Sequence, residues 1–217
     1  MMDFFRIIDR FTEYLLQRGF QFSEDGLPVF KETDFLSEIP QMIVPVNQRK
    51  NRRVQRKDKT LIAFFCGDKF IYRRLAKLLD EIDEYRLYLG VVGADITVTR
   101  DMELEWQRAT ILLNQLVMAI FVVNGIKTVL NTRIGRQETT DMFRYMPRGV
   151  LVASGFRGGT RRFSQSDFSY IAKLMTLLPS HVLIYGRCNK LVLKRIEQMG
   201  FDYTVFPDFR DLCREVA

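Results

Sequence analysis

The feature that most constrains this chain is a recurrence. A short apolar run rich in β-branched and aromatic residues gives way to a glycine or polar turn and then to a helix-like segment, and the unit repeats. The runs are TLIAFFC (60–66), LYLGVVGADIT (87–97), IKTVLNT (126–132), GVLVASG (149–155), HVLIYG (181–186) and DYTVFP (202–207). Between them the spacing predicts helices at about 69–85, 101–123, 136–145, 166–178 and 188–199, with another in the C-terminal tail. Runs that are apolar on nearly every residue, rather than on alternate ones, are what parallel strands look like when both faces of the sheet are covered. The fold class that follows is α/β, with about six mostly parallel strands alternating with helices. Six units are too few for an eightfold barrel, which leaves an open doubly wound sheet or a reduced, barrel-like β/α arrangement. Strand order is not written in the periodicity.

Ahead of these units, Phe4, Ile7, Ile8, Phe11, Leu15 and Leu16 recur at helical spacing, so the chain should open on an amphipathic helix ending near Gly19. In DGLPVF and SEIPQMIVPV proline and glycine fall too close together for long helices, which predicts turns and short extended pieces. A basic block, RKNRRVQRKDK (49–59), then places seven Lys or Arg against one Asp. The expected organisation is an N-terminal helix and basic lead-in over 1–59 and an α/β domain over 60–217.

Composition narrows the class. With 47% hydrophobic and 27% charged residues the chain reads as globular, neither disordered nor membrane-embedded. Its most apolar stretch, Ala109–Val123, carries Asn114 and Gln115 and is too short to span a bilayer. The N-terminus mixes charge through its apolar positions and has no signal-peptide pattern, so a cytoplasmic protein without a membrane partner is expected. Cys66, Cys188 and Cys213 are widely spaced and read as reduced thiols. A single histidine, His181, argues against a histidine-rich metal centre. No metal site is indicated and no motif identifies a cofactor. The net charge of +7 favours an anionic partner.

In either architecture ligands bind beyond the carboxyl ends of the strands, so the residues after each run are the site candidates. Acids follow the early strands: Asp68, Asp95 and Asp101, as acid/base or metal-binding groups. Polar and cationic groups follow the later ones: Asn131, Arg133, Ser154, Gly155, Arg157 and Arg187, as contacts for an anion. The loop GVLVASGFRGGTRRFS (149–164) lacks the lysine of a Walker A motif and the spacing of a dinucleotide fingerprint, so only its position after a strand speaks for phosphate. Arg49, Lys50, Arg52, Arg53, Arg56 and Lys57, with Arg161 and Arg162, are the candidates for a nucleic acid backbone. Cys66 and Cys188 follow strands with no histidine base nearby and are better explained as small buried residues. Phe64, Phe65, Tyr185 and Phe206, inside strands, are expected in the core.

The ordered set FFCGDKF, VVGADITVTRDM, NGIKTVLNTR, VLVASG and VLIYG resembles the bacterial and phage family called domain of unknown function 4417, over about residues 38–207. Asp68, Asp95, Asp101, Met102, Asn124, Gly125, Ser154, Tyr185 and Gly186 match its pattern. Ala94, Ile96 and Glu103 depart from it, standing where the family has proline, phenylalanine and proline, and its tryptophan near NTRIGRQE is absent. The resemblance implies an intracellular α/β domain in a bacterial or mobile-element setting. The expected function is binding of an anionic ligand, nucleic acid or nucleotide. The alternatives are a metal- or carboxylate-dependent enzyme acting on a phosphorylated substrate, and a protein-interaction component of a larger assembly.

Overall fold

The structure, a computed structural model, describes residues 4–156 and 169–214. Seven strands form one sheet: β1 (Met42–Pro45), β2 (Thr60–Ala63), β3 (Gly90–Val92), β4 (Thr128–Asn131), β5 (Leu151–Gly155), β6 (His181–Tyr185) and β7 (Tyr203–Phe206). They lie in the sheet in chain order, every neighbouring pair parallel. The α/β class and the alternation expected from the sequence are therefore present, with one strand more than the runs after residue 60 supply. That strand is β1, which pairs with β2 from Met42 opposite Thr60 to Pro45 opposite Ala63. The segment expected as a lead-in thus builds an edge of the sheet.

Chain-order strands have no point at which the winding reverses, which is what defines a doubly wound sheet. Of the two expected arrangements, the barrel-like one is present, and the packing shows why. One apolar cluster draws on every strand and on no helix: Ile43, Leu61, Val92, Val129, Leu151, Leu183 and Phe206 are among its members. The rings of Phe65, just past β2, and Tyr185, on β6, stack 5.6 Å apart at 27°. In a flat sheet β2 and β6 stand four strand spacings apart, roughly 19 Å. Only a sheet curled on itself brings those rings together. Below, at the amino ends of the strands, Phe35 bridges Thr128 and the Leu36 amide donates to the Thr128 carbonyl at 2.8 Å, so Leu36 joins the interior and stoppers it.

A second, larger cluster lies between the sheet and the surrounding helices. These are α1 (Phe4–Gln17), α2 (Asp68–Leu75), α3 (Ile82–Tyr85), α4 (Leu104–Val123), α5 (Ser169–Leu177), α6 (Lys190–Gln198) and α7 (Phe209–Arg214). The single helix expected over 69–85 is divided into α2, a 3₁₀ turn and α3, and the helix expected over 136–145 is a 3₁₀ stretch, Gln137–Phe143. On α1, Ile7, Phe11 and Leu15 fall on one face and pack on α4. Helix α4 begins at Leu104, earlier than its most apolar stretch, and at 20 residues is by length and composition sufficient to cross a bilayer. It serves instead as the core helix, with 61% of its most apolar window buried inside the fold. Between β1 and β7 no strand pairing closes the sheet among the described residues; α7 packs on β1 at this seam, and Arg53 Nη2 donates to the Cys213 carbonyl at 3.4 Å.

Candidate functional site

At the carboxyl ends of the strands the barrel opens into a cleft of about 1170 Å³ whose wall includes Asp68, Asp95, Thr97, Arg133, Gly155 and Arg187. They come from the ends of five successive strands, β2 to β6, or the turns after them, with Asp95 and Thr97 sharing the loop after β3, so chain-order winding sets them around one rim.

The best-defined part of the rim joins the ends of β3 and β4. Arg133 Nε donates to Asp95 Oδ1 at 2.8 Å, and Asn131, the last residue of β4, donates from Nδ2 to the same oxygen at 2.9 Å and to the Ala94 carbonyl at 3.0 Å. From the other side Asn114 on α4 receives the Ile96 amide at 3.2 Å and donates to the Ile96 carbonyl at 3.4 Å. Two asparagines therefore clamp the loop on either side of Asp95. This explains why a polar residue interrupts the apolar face of α4: a buried loop backbone must be hydrogen-bonded, and Asn offers both a donor and an acceptor. Burial works against the charge of Arg133, but the Asp95 carboxylate, by charge and hydrogen bond, and Asp68 beyond it hold the guanidinium above its ordinary pKa. The Arg133 side chain is 31% exposed and that of Asp95 12%. No hydrogen bond is made by the terminal Nη groups of Arg133 among the described residues.

Asp68 opens α2 after β2. Its Oδ1 accepts from the Thr97 hydroxyl at 3.0 Å and from the Thr97 amide at 3.3 Å, which ties the turn after β2 to the loop after β3. At the end of β5, Gly155 faces the ring of Phe65: a Cβ at this position would lie 2.7 Å from Phe65 Cδ1. Glycine is required there by close approach across the barrel mouth. Ser154 is 3% exposed, and its hydroxyl is shared with Thr132 at 2.7 Å and Tyr170 at 2.8 Å, so it braces the strand ends beneath the cleft. Arg187 is paired side-on with Asp211 at 3.2 Å yet 84% exposed. Burial pushes the Cys188 thiol up to about 11, which keeps it protonated and a poor nucleophile.

The other sequence candidates lie elsewhere. Asp101 is exposed and does not line the cleft; a hydrogen bond from the Thr99 hydroxyl holds its carboxyl below the usual range. Arg157, Arg161 and Arg162 lie outside the described residues. The basic block descends from the top of β1 to the start of β2, away from the cleft. Arg49 within it is 3% exposed, donating to the Val46 carbonyl at 3.1 Å and bridging Glu81 and Glu84 at 3.0 Å each; it is a structural ion, which removes it from a phosphate-tracking surface. Lys50 pairs with Glu84 at 3.1 Å and Arg56 with Asp58 at 2.8 Å, while Lys57 sits over the Tyr88 ring at 5.4 Å. Arg52 is exposed. Among the described residues no group of three or more His, Cys, Asp or Glu side chains could hold a metal ion. Asn47, Phe70, Thr97 and Asn189 line the cleft without any motif to mark them; each lies only a few residues beyond a strand end, the one signal the sequence carries.

No family model, no curated protein and no solved structure matches this chain.

Proposed function

We propose that this protein binds a phosphate-bearing ligand of nucleotide size in the mouth of its barrel. The observation that carries the reading is Arg133. Its Nε is fixed by Asp95, its charge is reinforced, and the fork of terminal N–H groups on a side chain that lines the cleft is left for a ligand. A guanidinium anchored in this way presents two parallel donors, the geometry that phosphate and carboxylate oxygens accept. Arg187 and Arg210 bring further cations to the same rim, beside the carboxylates of Asp68, Asp95, Asp208 and Asp211. The cleft volume suits a nucleotide better than a long polymer. The kinship with domain of unknown function 4417 belongs to the same proposal, since Asp68, Asp95 and Ser154, which carry that resemblance, all stand at or just beneath this rim.

Titration calorimetry with inorganic phosphate, ribose 5-phosphate and nucleoside monophosphates tests it. Arg133→Gln should weaken binding by roughly 10- to 100-fold, the worth of a charge-assisted pair, with an unchanged circular dichroism spectrum. Equal affinity in the variant, or no binding of any phosphorylated ligand by the wild type, rejects the reading.

Catalysis at the same place is the second reading, favoured by Asp68. Its carboxylate is half-buried on the cleft wall and accepts only from Thr97 among the described residues, which leaves lone pairs for a proton or a substrate hydroxyl. On this reading Asp68→Asn keeps ligand affinity and loses turnover. Nucleic acid tracking along residues 49–59 is the weaker reading, because Arg49 is buried and Arg56 is paired with Asp58. It would require binding that falls steeply with salt and survives Arg133→Gln.

A further inference from the structure

We propose that the ligand of the cleft carries a planar heteroaromatic base and that Phe70 is the platform on which the base stacks. The inference rests on the reading that this cleft takes a phosphate-bearing ligand, and names the class: a nucleotide rather than a sugar phosphate or a phosphorylated acid.

Phe70 lies on the first turn of α2, two residues beyond Asp68, and is one of the cleft-lining residues. It is 46% exposed and belongs to neither apolar cluster. Its ring contact is with the Arg73 guanidinium, 5.7 Å from the ring centroid. A phenylalanine that contributes little to the core and stands exposed at the rim of a concave site has unspent stacking surface, and aromatic faces with a neighbouring arginine are what hold nucleic acid bases without reading their sequence. Among the described residues the other exposed large aromatics, Phe5 and Trp106, are occupied with each other at 5.4 Å and do not line the cleft.

Position supports the same class. Phe70 and Arg133 line the same cleft, and the strands that precede them, β2 and β4, stand two spacings or about 10 Å apart in the barrel wall, so one ligand with a base at one end and a phosphate at the other can address both. After β1, the exposed Asn47 lines the same cleft, and its side chain makes no hydrogen bond among the described residues. An amide there has the donor and acceptor that a base edge requires.

The experiment compares ribose 5-phosphate with the four common nucleoside 5′-monophosphates by titration calorimetry on the wild type, Phe70→Ala and Phe70→Trp. At least one nucleotide should bind the wild type about tenfold or more tighter than ribose 5-phosphate, the contribution of one stacked base. Phe70→Ala should erase that gap while leaving ribose 5-phosphate affinity unchanged. Phe70→Trp should retain it, with indole fluorescence quenched on nucleotide addition. Nucleotides that bind the wild type no tighter than ribose 5-phosphate, or a gap that survives Phe70→Ala, overturn the stacking proposal while the phosphate site stands. Failure of every phosphorylated compound to bind overturns both.

Discussion

Curling of the sheet makes a prediction at a glycine on the cleft wall. Gly155 on β5 faces Phe65 beyond β2, and a methyl group built on it would lie 2.7 Å from Cδ1, 2.8 Å from Cγ and 3.2 Å from Cε1 of that ring. The first of these falls about 0.7 Å short of the 3.4 Å at which ordinary contact begins. Phe65 cannot easily withdraw, because it is 2% exposed and stacked on the fully buried Tyr185. Overpacking of this kind costs roughly 1–3 kcal/mol, and the lower chain entropy of alanine in the unfolded state returns about 0.4–1 kcal/mol. Gly155→Ala should therefore destabilise by about 1–2 kcal/mol, equivalent to a fall of roughly 2–8 °C in Tm for a chain of this size. Urea unfolding followed by circular dichroism, with an unchanged m value, measures it. In a Phe65→Leu background, where the ring is gone, the same substitution should cost less by about 1 kcal/mol. In an open sheet β5 and β2 would stand three spacings apart, about 14 Å, and alanine would be tolerated. A change within 0.5 kcal/mol in the wild-type background, with no coupling to Phe65, would therefore refute closure of the barrel.

Three further outcomes are expected. Arg49→Met should cost about 2–3 kcal/mol in urea unfolding, less than for a fully buried pair because Glu81 and Glu84 remain about one-fifth exposed. Burial alone would raise the pKa of Glu84, but hydrogen bonds from Arg49 and Lys50 lower it below the ordinary value. The stability it contributes is complete above the unfolded glutamate range near ~4.3 and is lost as pH falls through the lowered folded value, so unfolding free energy should decline below about pH 4 and decline less in Arg49→Met. Gln107, fully buried on α4, donates to the Met102 carbonyl at 2.9 Å and accepts from the Arg136 amide at 2.8 Å; Gln107→Leu leaves both backbone groups unpaired, which should cost about 1–3 kcal/mol and speed hydrogen exchange at the Arg136 amide.

What the sequence discloses of this fold is what is local. Each apolar run with its following turn can be read without reference to any other, and six of the seven strands stand where those runs place them. The seventh, Met42–Pro45, falls in a stretch readable only as turns and short extended pieces; Pro45 ends it, and at the end of an edge strand its missing N–H breaks no ladder bond. The sequence left the barrel-like arrangement as one of two and could not choose between them, since the choice depends on Phe65 meeting Tyr185 and Gly155 from distant parts of the chain. The location of the cleft followed from fold logic, and Asp68, Asp95, Arg133, Gly155 and Arg187 do share its wall. The roles of Asn131 and Ser154 did not follow: the first ends β4 and the second is next to last on β5, but one holds Asp95 and the other is spent on Thr132 and Tyr170.

Arginine illustrates the remaining gap most sharply. By charge density residues 49–59 are the strongest anion-binding candidate in the chain, whereas Arg133 is marked only by its place after a strand. The acids that neutralise Arg49, Glu81 and Glu84, belong to a segment beyond the next strand, so no count of nearby charges finds them. What separates the two arginines is which end of the guanidinium the fold consumes. Arg49 spends its terminal nitrogens on Val46, Glu81 and Glu84 and leaves Nε buried with no partner among the described residues. Arg133 spends Nε on Asp95 and keeps its terminal nitrogens. The first is a bolt between the β1 loop and the 81–84 turn; the second is held at Nε on the cleft wall with its terminal nitrogens unspent among the described residues, which is the arrangement a phosphate needs. Removing Asp95 should therefore impair anion binding almost as much as removing Arg133 itself, although a carboxylate taken from an anion site would by charge alone improve it. Asp95→Asn tests this by calorimetry with ribose 5-phosphate: weaker binding means that orientation of the fork dominates, and tighter binding would show that net charge does and that Arg133 needs no anchor.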